Sequence, residues 1–171
     1  MDEPVRSAPL FRGRWVRVDE EEWPGIGSWE VVRPNDAAAV LPLTPKDEVV
    51  LVEQFRAGAR RTIEEIPAGL LDRDGEDPAS CAARELLEET GFRHVSLESL
   101  GAVHTSPGSS SELVHLFVAR TRAEPEGDPE SGIVVRRRPF AEALDRARDG
   151  RIDDAKTALA LFLADARRGA G

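Results

Sequence analysis

The stretch from Asp77 to Gly91 constrains the fold of this chain more than any other. Asp77 is a good N-cap, Pro78 sits at the first helical position where its missing N–H does no harm, and Gly91 suits a left-handed C-cap. A helix is therefore expected over 78–90. At about 100° per residue, Glu85, Glu88 and Glu89 share one face of it, within an arc of roughly 100°. Ala79, Ala83, Leu86 and Leu87 are left to line the faces turned toward a core. Carboxylates crowded into one turn repel by a few tenths of a kcal/mol per pair, so an unassisted helix gains nothing from them. A hard divalent cation resolves the conflict: Mg²⁺ takes oxygen ligands, keeps several waters and bridges one or two carboxylates to substrate phosphates. The helix thus points to phosphate chemistry. Zinc is disfavoured, because His94, His104 and His115 lie about ten residues apart and lack the i, i+4 pairing of zinc hydrolases.

Such a helix needs a core to pack on, and 171 residues with 40% apolar content supply one for a single domain. The formal charge of −9, from 23 basic and 32 acidic residues, argues against binding a nucleic-acid backbone, which needs clustered positive charge. No segment approaches the roughly 18 consecutive apolar residues of a membrane span. Cys81 is the single cysteine, which leaves no disulfide framework and no multi-cysteine zinc site, and suits a reducing compartment. The opening Met1-Asp-Glu-Pro-Val-Arg has neither the basic start nor the apolar run of a secretory signal, so a cytoplasmic location is expected.

Residues 1–10, with two prolines and little periodicity, read as a frayed leader. Phe11, Trp15 and Val18 mark a short strand up to the acidic run Asp19-Glu20-Glu21-Glu22, and 29–33 reads as a second strand. Apolar runs at 38–43 and 49–55, joined through Thr44-Pro45-Lys46-Asp47, and alternation at 62–66 give three more, the last broken by Pro67-Ala68-Gly69. Beyond the helix, strands are expected at 95–104, 113–120 and 133–138, with an exposed acidic loop at 124–132. Helices follow at 140–149 and 154–168. Many strands, one helix, more strands, then helices is the order of a mixed α+β sandwich.

The segment around the helix resembles the signature of the Nudix hydrolases, Gly-x5-Glu-x7-Arg-Glu-U-x-Glu-Glu-x-Gly-U with U aliphatic. Arg84-Glu85-Leu86-Leu87-Glu88-Glu89-Thr90-Gly91-Phe92 fits its second half, and Glu76 lies eight positions before Arg84. Gly69 is separated from Glu76 by six residues instead of five, a longer loop that Gly75 can absorb with a positive φ. The plain alternative is a solvated helix whose glutamates pair with Arg84, and about eight specified residues at fixed spacing outweigh it. Glu65-Ile66-Pro67-Ala68-Gly69, Glu53-Gln54-Phe55-Arg56, and Ser106-Pro107-Gly108 with Glu112 are similar to features of the ADP-ribose pyrophosphatase subgroup. Pro107 lies fifteen positions beyond Phe92, as a proline does in that subgroup, although Ser109 and Ser111 stand where its loop often has an aromatic and an acid. The segment 150–157 resembles the family's end segment.

The resemblance implies an α+β fold, an α/β/α sandwich with a mixed sheet over 37–171, preceded by a small antiparallel β region over 1–36 that serves as a dimerisation arm. It implies Mg²⁺-dependent hydrolysis of the pyrophosphate bond of a nucleoside diphosphate sugar, with Mn²⁺ as the alternative ion. ADP-ribose to AMP and ribose 5-phosphate is the favoured reaction. GDP-mannose or UDP-glucose is the alternative substrate, and a module that senses ADP-ribose without hydrolysing it is the alternative of another class. On the family pattern, Glu85 and Glu89 are the principal metal ligands, assisted by Glu88 and the Ala68 carbonyl. Glu112, Glu88, Arg84 and Glu76 form the catalytic set: Glu76 orients Arg84 and the helix face, and Glu112 is the candidate general base on a mobile loop. Arg56 would bind phosphate, Pro107 and Gly108 belong to the substrate loop, and Trp29 or Trp15 would stack on adenine. The expected partners are a nucleotide sugar and a second copy of the chain, a homodimer, with neither nucleic acid nor membrane. Cys81 is expected to be a packed side chain and 136–138 the charged edge of a strand.

Overall fold

The computed structural model describes residues 3–14 and 16–169. The central strand is β4 (Ala37–Leu43), whose seven residues are all buried, as an unbroken apolar run requires when both faces of a sheet are covered. It pairs in parallel with β9 (Leu113–Thr121) along its whole length, from Ala37↔Val114 to Leu43↔Arg120. Its other edge is shared by β5 (Glu48–Arg56), met only at Leu43↔Val49, and by the short β7 (Ala68–Leu70). This division explains how a proline sits in a central strand. Val40 donates its N–H to Pro67 at 3.0 Å, and Pro42, of the same parity, turns its missing donor into the gap between β7 and β5. The sheet runs β10 (Val134–Pro139), β5, β4, β9, β8 (His94–His104), with β6 (Arg61–Glu65) paired to β5. It is mixed, the β4–β9 pair being parallel and its other ladders antiparallel.

Alternation along β4 sends its side chains into two cores. Ala39, Leu41 and Leu43 pack with Leu51, Leu116 and residues of α2 (Phe140–Arg148) and α3 (Ala155–Gly169), among them Leu144 and Leu161. Ala38 and Val40 pack with Phe117 and with Cys81, Ala82 and Leu86 of α1 (Pro78–Thr90). The result is an α/β/α sandwich, as expected. The caps of α1 are the ones its sequence implies: the Asp77 side chain accepts from Ala79 N at 2.9 Å and Ser80 N at 3.1 Å, and Gly91 closes the helix at φ 74°. Among the described residues no helix is long and apolar enough to cross a membrane.

The N-terminal region forms the small antiparallel sheet that the resemblance implies, but its first strand corrects the reading of 1–10. Instead of a frayed leader, β1 (Arg6–Arg12) pairs antiparallel with β2 (Arg17–Trp23), which pairs with β3 (Gly27–Val32) in a separate sheet. Trp15, expected in a strand here, lies outside the described residues. The acidic run does not end a strand but lies within β2, and Asp19 and Glu21 are buried. Their charge is met inside the chain: Arg17 Nε approaches Asp19 at 3.3 Å, and Arg33 pairs with Glu21. A reading that assigns charge to solvent misses a strand whose inward acids are matched by arginines, one of them beyond the next strand. The small sheet meets the sandwich where Val32 and Ser110 form a parallel bridge, with Val32 N donating to Ser109 O at 2.8 Å.

Candidate active site

The glutamate face of α1 lies against the segment that leads out of β6. Glu89 Oε2 accepts the Ala68 N–H at 3.1 Å, and Cys81 Sγ lies 3.7 Å from Gly69 O. Gly69 lies close against the Glu85 side chain, which would have to move aside for a Cβ at that position. Arg84 organises the rest of the face. Its Nε and Nη2 each donate to Glu76 at 2.8 Å as a bidentate fork, while Nη1 donates to Glu88 at 2.9 Å and to Glu85. Arg73 Nη2 donates to the other oxygen of Glu88 at 3.0 Å.

These partners divide the three glutamates electrostatically. Burial pushes Glu89 up to about 7, and the charge of Glu85 adds to that effect against the Ala68 N–H. Burial likewise raises Glu85, with the charges of Glu88 and Glu130 adding and Arg84 opposing. At Glu88 burial acts in the same direction, but hydrogen bonds from Arg84 and Arg73 outweigh it and hold the carboxyl below its ordinary range. Arg84 holds Glu76 low through their hydrogen bond. The Cys81 thiol is pushed up to about 11, first by burial and against the pull of Arg84.

Beside this face opens a cleft of about 420 Å³, within the size range of small-molecule sites. Arg56, Ala68, Gly69, Thr105, Glu112 and Lys156 contribute to its walls. Arg56 projects from the end of β5 with its Nε fixed on Glu65 at 2.6 Å. Glu112 accepts from Thr105 Oγ1 at 2.6 Å, and its N–H reaches Ser110 Oγ at 3.2 Å.

The chain that carries this capped helix and glutamate face is similar in sequence to known proteins. The NUDIX domain model matches residues 33–161. The chain belongs to the Nudix family of hydrolases. It is 36% identical over 168 residues to a methanol dehydrogenase activator of Bacillus methanolicus, covering 94% of this chain and 90% of that one. An ADP-ribose pyrophosphatase of Bacillus subtilis (strain 168) is 34% identical with the same coverage. A GDP-mannose pyrophosphatase of Cronobacter sakazakii (strain ATCC BAA-894) is 41% identical over 140 residues, 75% of this chain and 72% of that one.

Nudix hydrolases generally depend on Mg²⁺, and the donor set here fits that ion. Among the described residues no group of three His, Cys, Asp or Glu side chains is assembled to hold a metal. Mg²⁺ does not need one, since one or two carboxylates and the substrate's phosphates complete its shell with water. Burial raises both Glu85 and Glu89, against the pull of Arg84 at Glu85 and with only the Ala68 N–H as a hydrogen-bond donor at Glu89. Glu88 is more exposed and already engaged by Arg73 and Arg84.

The Nudix sandwich separates the expected substrate-binding residues. Arg56 faces the cleft, whereas Trp29, Pro107 and Gly108 line a second, more open depression of about 340 Å³ with Trp23 and Ile26. Several residues near the Nudix face were not anticipated. Glu130 reaches α1 because the acidic loop folds back on it: Glu126 N donates to Gly91 O at 2.8 Å and Glu130 N to Glu88 O at 2.9 Å. A Cβ at Gly91 would collide with the Gly127 carbonyl, so glycine serves both the C-cap and this contact. Glu65, Asp154 and Lys156 were missed as well, although 150–157 carried a sequence signal without an assigned role.

Proposed function

We propose that this chain hydrolyses the pyrophosphate bond of a nucleoside diphosphate sugar with Mg²⁺, or alternatively Mn²⁺, and that ADP-ribose, split to AMP and ribose 5-phosphate, is its favoured substrate. The observation that carries the reading is the pair of acids Glu85, half-buried, and Glu89, buried, both raised by burial, beside a cleft that also holds Arg56. Glu85, Glu89 and the Ala68 carbonyl would hold the ion, which supplies neutralisation of phosphate charge and a more acidic water. The chain's own groups do the positioning. Arg56, anchored through Nε, presents its two terminal nitrogens to a phosphate, and Arg84, gripped by Glu76, holds Glu85 and Glu88 in place. Glu112 takes the proton of the attacking water, steadied by Thr105. A second reading gives that task to Glu130, favoured by its charge acting on Glu85. Trp29, with Pro107 and Gly108, offers the base an aromatic face.

The preference for ADP-ribose is supported by the Bacillus subtilis pyrophosphatase, which aligns with 94% of this chain, against 75% for the GDP-mannose pyrophosphatase. The exposed Leu10, Phe11 and Trp29 support a dimerisation role for 1–36, with 37–171 as the catalytic domain of a cytoplasmic homodimer. Product analysis over a panel of nucleotide sugars at millimolar Mg²⁺ tests the reading, with AMP and ribose 5-phosphate from ADP-ribose expected as the fastest products. Tight ADP-ribose binding with no product from any member would establish a sensor instead.

A further inference from the structure

The sandwich carries a second hollow at the end opposite the cleft. Ala37 at the start of β4 lines the cleft and Leu43 at its end lines the hollow, roughly 20 Å apart at about 3.3 Å per residue. α3 likewise links the two places, with Lys156 at the cleft and Arg167 and Arg168 at the hollow. Strand register builds the floor: Arg120 of β9 stands between Ser96 of β8 and Leu43 of β4, and two residues along the same face Glu98 pairs with Val118. Ala164 of α3, small and buried, leaves room beside them. The volume is about 220 Å³, below the roughly 300–1,000 Å³ of sites that take drug-sized ligands, and so suits a small ion or molecule.

Three guanidiniums converge here in a chain whose net charge is −9. Two of them tie down the end of α3. Arg168 grips Asp47 with both terminal nitrogens, Nη1 at 2.9 Å, and its guanidinium carbon lies 3.6 Å from the centre of the Phe140 ring. Arg167 donates through Nη2 to Ser99 O at 2.9 Å. Both belong to the last turn of the helix, where cations answer the negative end of its dipole. Neither reason applies to Arg120. It lies on a strand, it is exposed, and among the described residues none of its five N–H groups has an acceptor. Asp47, which feels the charge of Arg120, is already held by Arg168. Glu98, the acid on the same wall, forms no ion pair among the described residues. Arg120 and Arg167 thus turn unused, fork-shaped donors toward a small hollow, and such forks match the oxygens of a phosphate.

We propose that this hollow binds the phosphate group of a small molecule, inorganic phosphate or a phosphomonoester, with Arg120 and Arg167 as its binding residues and Glu98 as a like charge that limits its affinity. The site is separate from the catalytic cleft, and it stands whether or not the nucleotide-sugar reading holds.

Amide NMR of the whole chain, titrated with inorganic phosphate in a chelator at fixed ionic strength, reads the two ends of the molecule separately. Saturable shifts at Ser96, Arg120 and Arg167 in the millimolar range or below are expected. Arg120→Gln and Arg167→Gln each raise the dissociation constant read there about 10-fold or more, whereas Glu98→Gln lowers it. Arg56→Gln, which alters only the cleft, leaves it within about twofold. Ribose 5-phosphate in place of phosphate identifies the source: tighter binding at the same resonances assigns a phosphomonoester, weaker binding assigns the free ion. Arg120 makes no contact that the fold depends on, so its variant is expected to keep the wild-type spectrum elsewhere. Shifts confined to cleft residues such as Thr105, shifts at the hollow that survive Arg120→Gln unchanged, or no saturable shift at all overturns the proposal and leaves the arginines a solvated helix end beside a charged strand.

Discussion

Glu21 in the N-terminal sheet and Glu89 on α1 are both buried, at 4% and 5% exposure, yet their surroundings are opposite. Glu21 is paired with Arg33 and accepts from Trp23 Nε1 at 3.3 Å. Glu89 accepts the Ala68 N–H, forms no ion pair among the described residues, and feels the like charge of Glu85. An ionised carboxylate taken out of water without a partner costs several kcal/mol, so a fold keeps such a group neutral or supplies a cation. The N-terminal sheet supplies its cation from the chain. At Glu89 no such cation pairs among the described residues, and under the proposed function the metal ion would supply it.

The largest effect should fall on turnover. Glu85→Gln and Glu89→Gln are expected to reduce kcat by orders of magnitude while cooperative unfolding survives; unchanged turnover in both would erase the distinction between the two regions. Next comes the general base. Of Glu112→Gln and Glu130→Gln, the one that removes the base should cost about 10²- to 10⁴-fold in kcat, measured at saturating substrate, and Glu112 is the expected one. A smaller effect of opposite kind belongs to the N-terminal sheet: Glu21→Gln leaves Arg33 only its longer pair with Asp19, at 3.9 Å, and should lower stability by about 1–3 kcal/mol in denaturant titrations, with turnover per folded molecule retained. A stabilised Glu21→Gln would place Glu21 in the same class as Glu89. The smallest change concerns Cys81, a buried acid with a different solution. With its thiol near 11, almost none is thiolate at pH 8, so a thiol reagent should label the folded protein slowly and the denatured protein at once. Rapid labelling of native protein would contradict the burial of this helix face.

What sequence made legible follows the range of the interactions involved. α1, its caps, and the Glu76–Arg84 fork are local, separated by eight residues at most, and their spacing is itself the signal. The strands of the sandwich were legible because continuous apolar runs mark sheets covered on both faces. The Arg56–Glu65–Lys156 network was not, because Glu65 and Lys156 meet across 91 residues, a pairing that no local pattern encodes. The buried acids of β2 escaped for a similar reason, as Glu21 is balanced by an arginine 12 residues on, beyond the next strand. Glu130 was hidden in a run that reads as solvated loop, and only its backbone contacts with α1 bring it to the site. β7 was lost in the Pro67-Ala68-Gly69 break, being three residues long and held by its pairing with β4.

Thermal unfolding of the wild type and Glu89→Gln at pH 8, each in a chelator and in millimolar Mg²⁺, tests the central claim most directly. The stability that a neutral Glu89 contributes is present below its ordinary value of 4.5 and is lost as pH rises through about 7, so at pH 8 the wild type carries the full cost of a buried charge. Glutamine keeps an acceptor for the Ala68 N–H and removes that charge. The account predicts that the variant melts above the wild type in chelator, that Mg²⁺ raises the wild-type Tm, and that it leaves the variant almost unmoved. A wild-type Tm indifferent to Mg²⁺, together with a variant that melts lower in chelator, would contradict it.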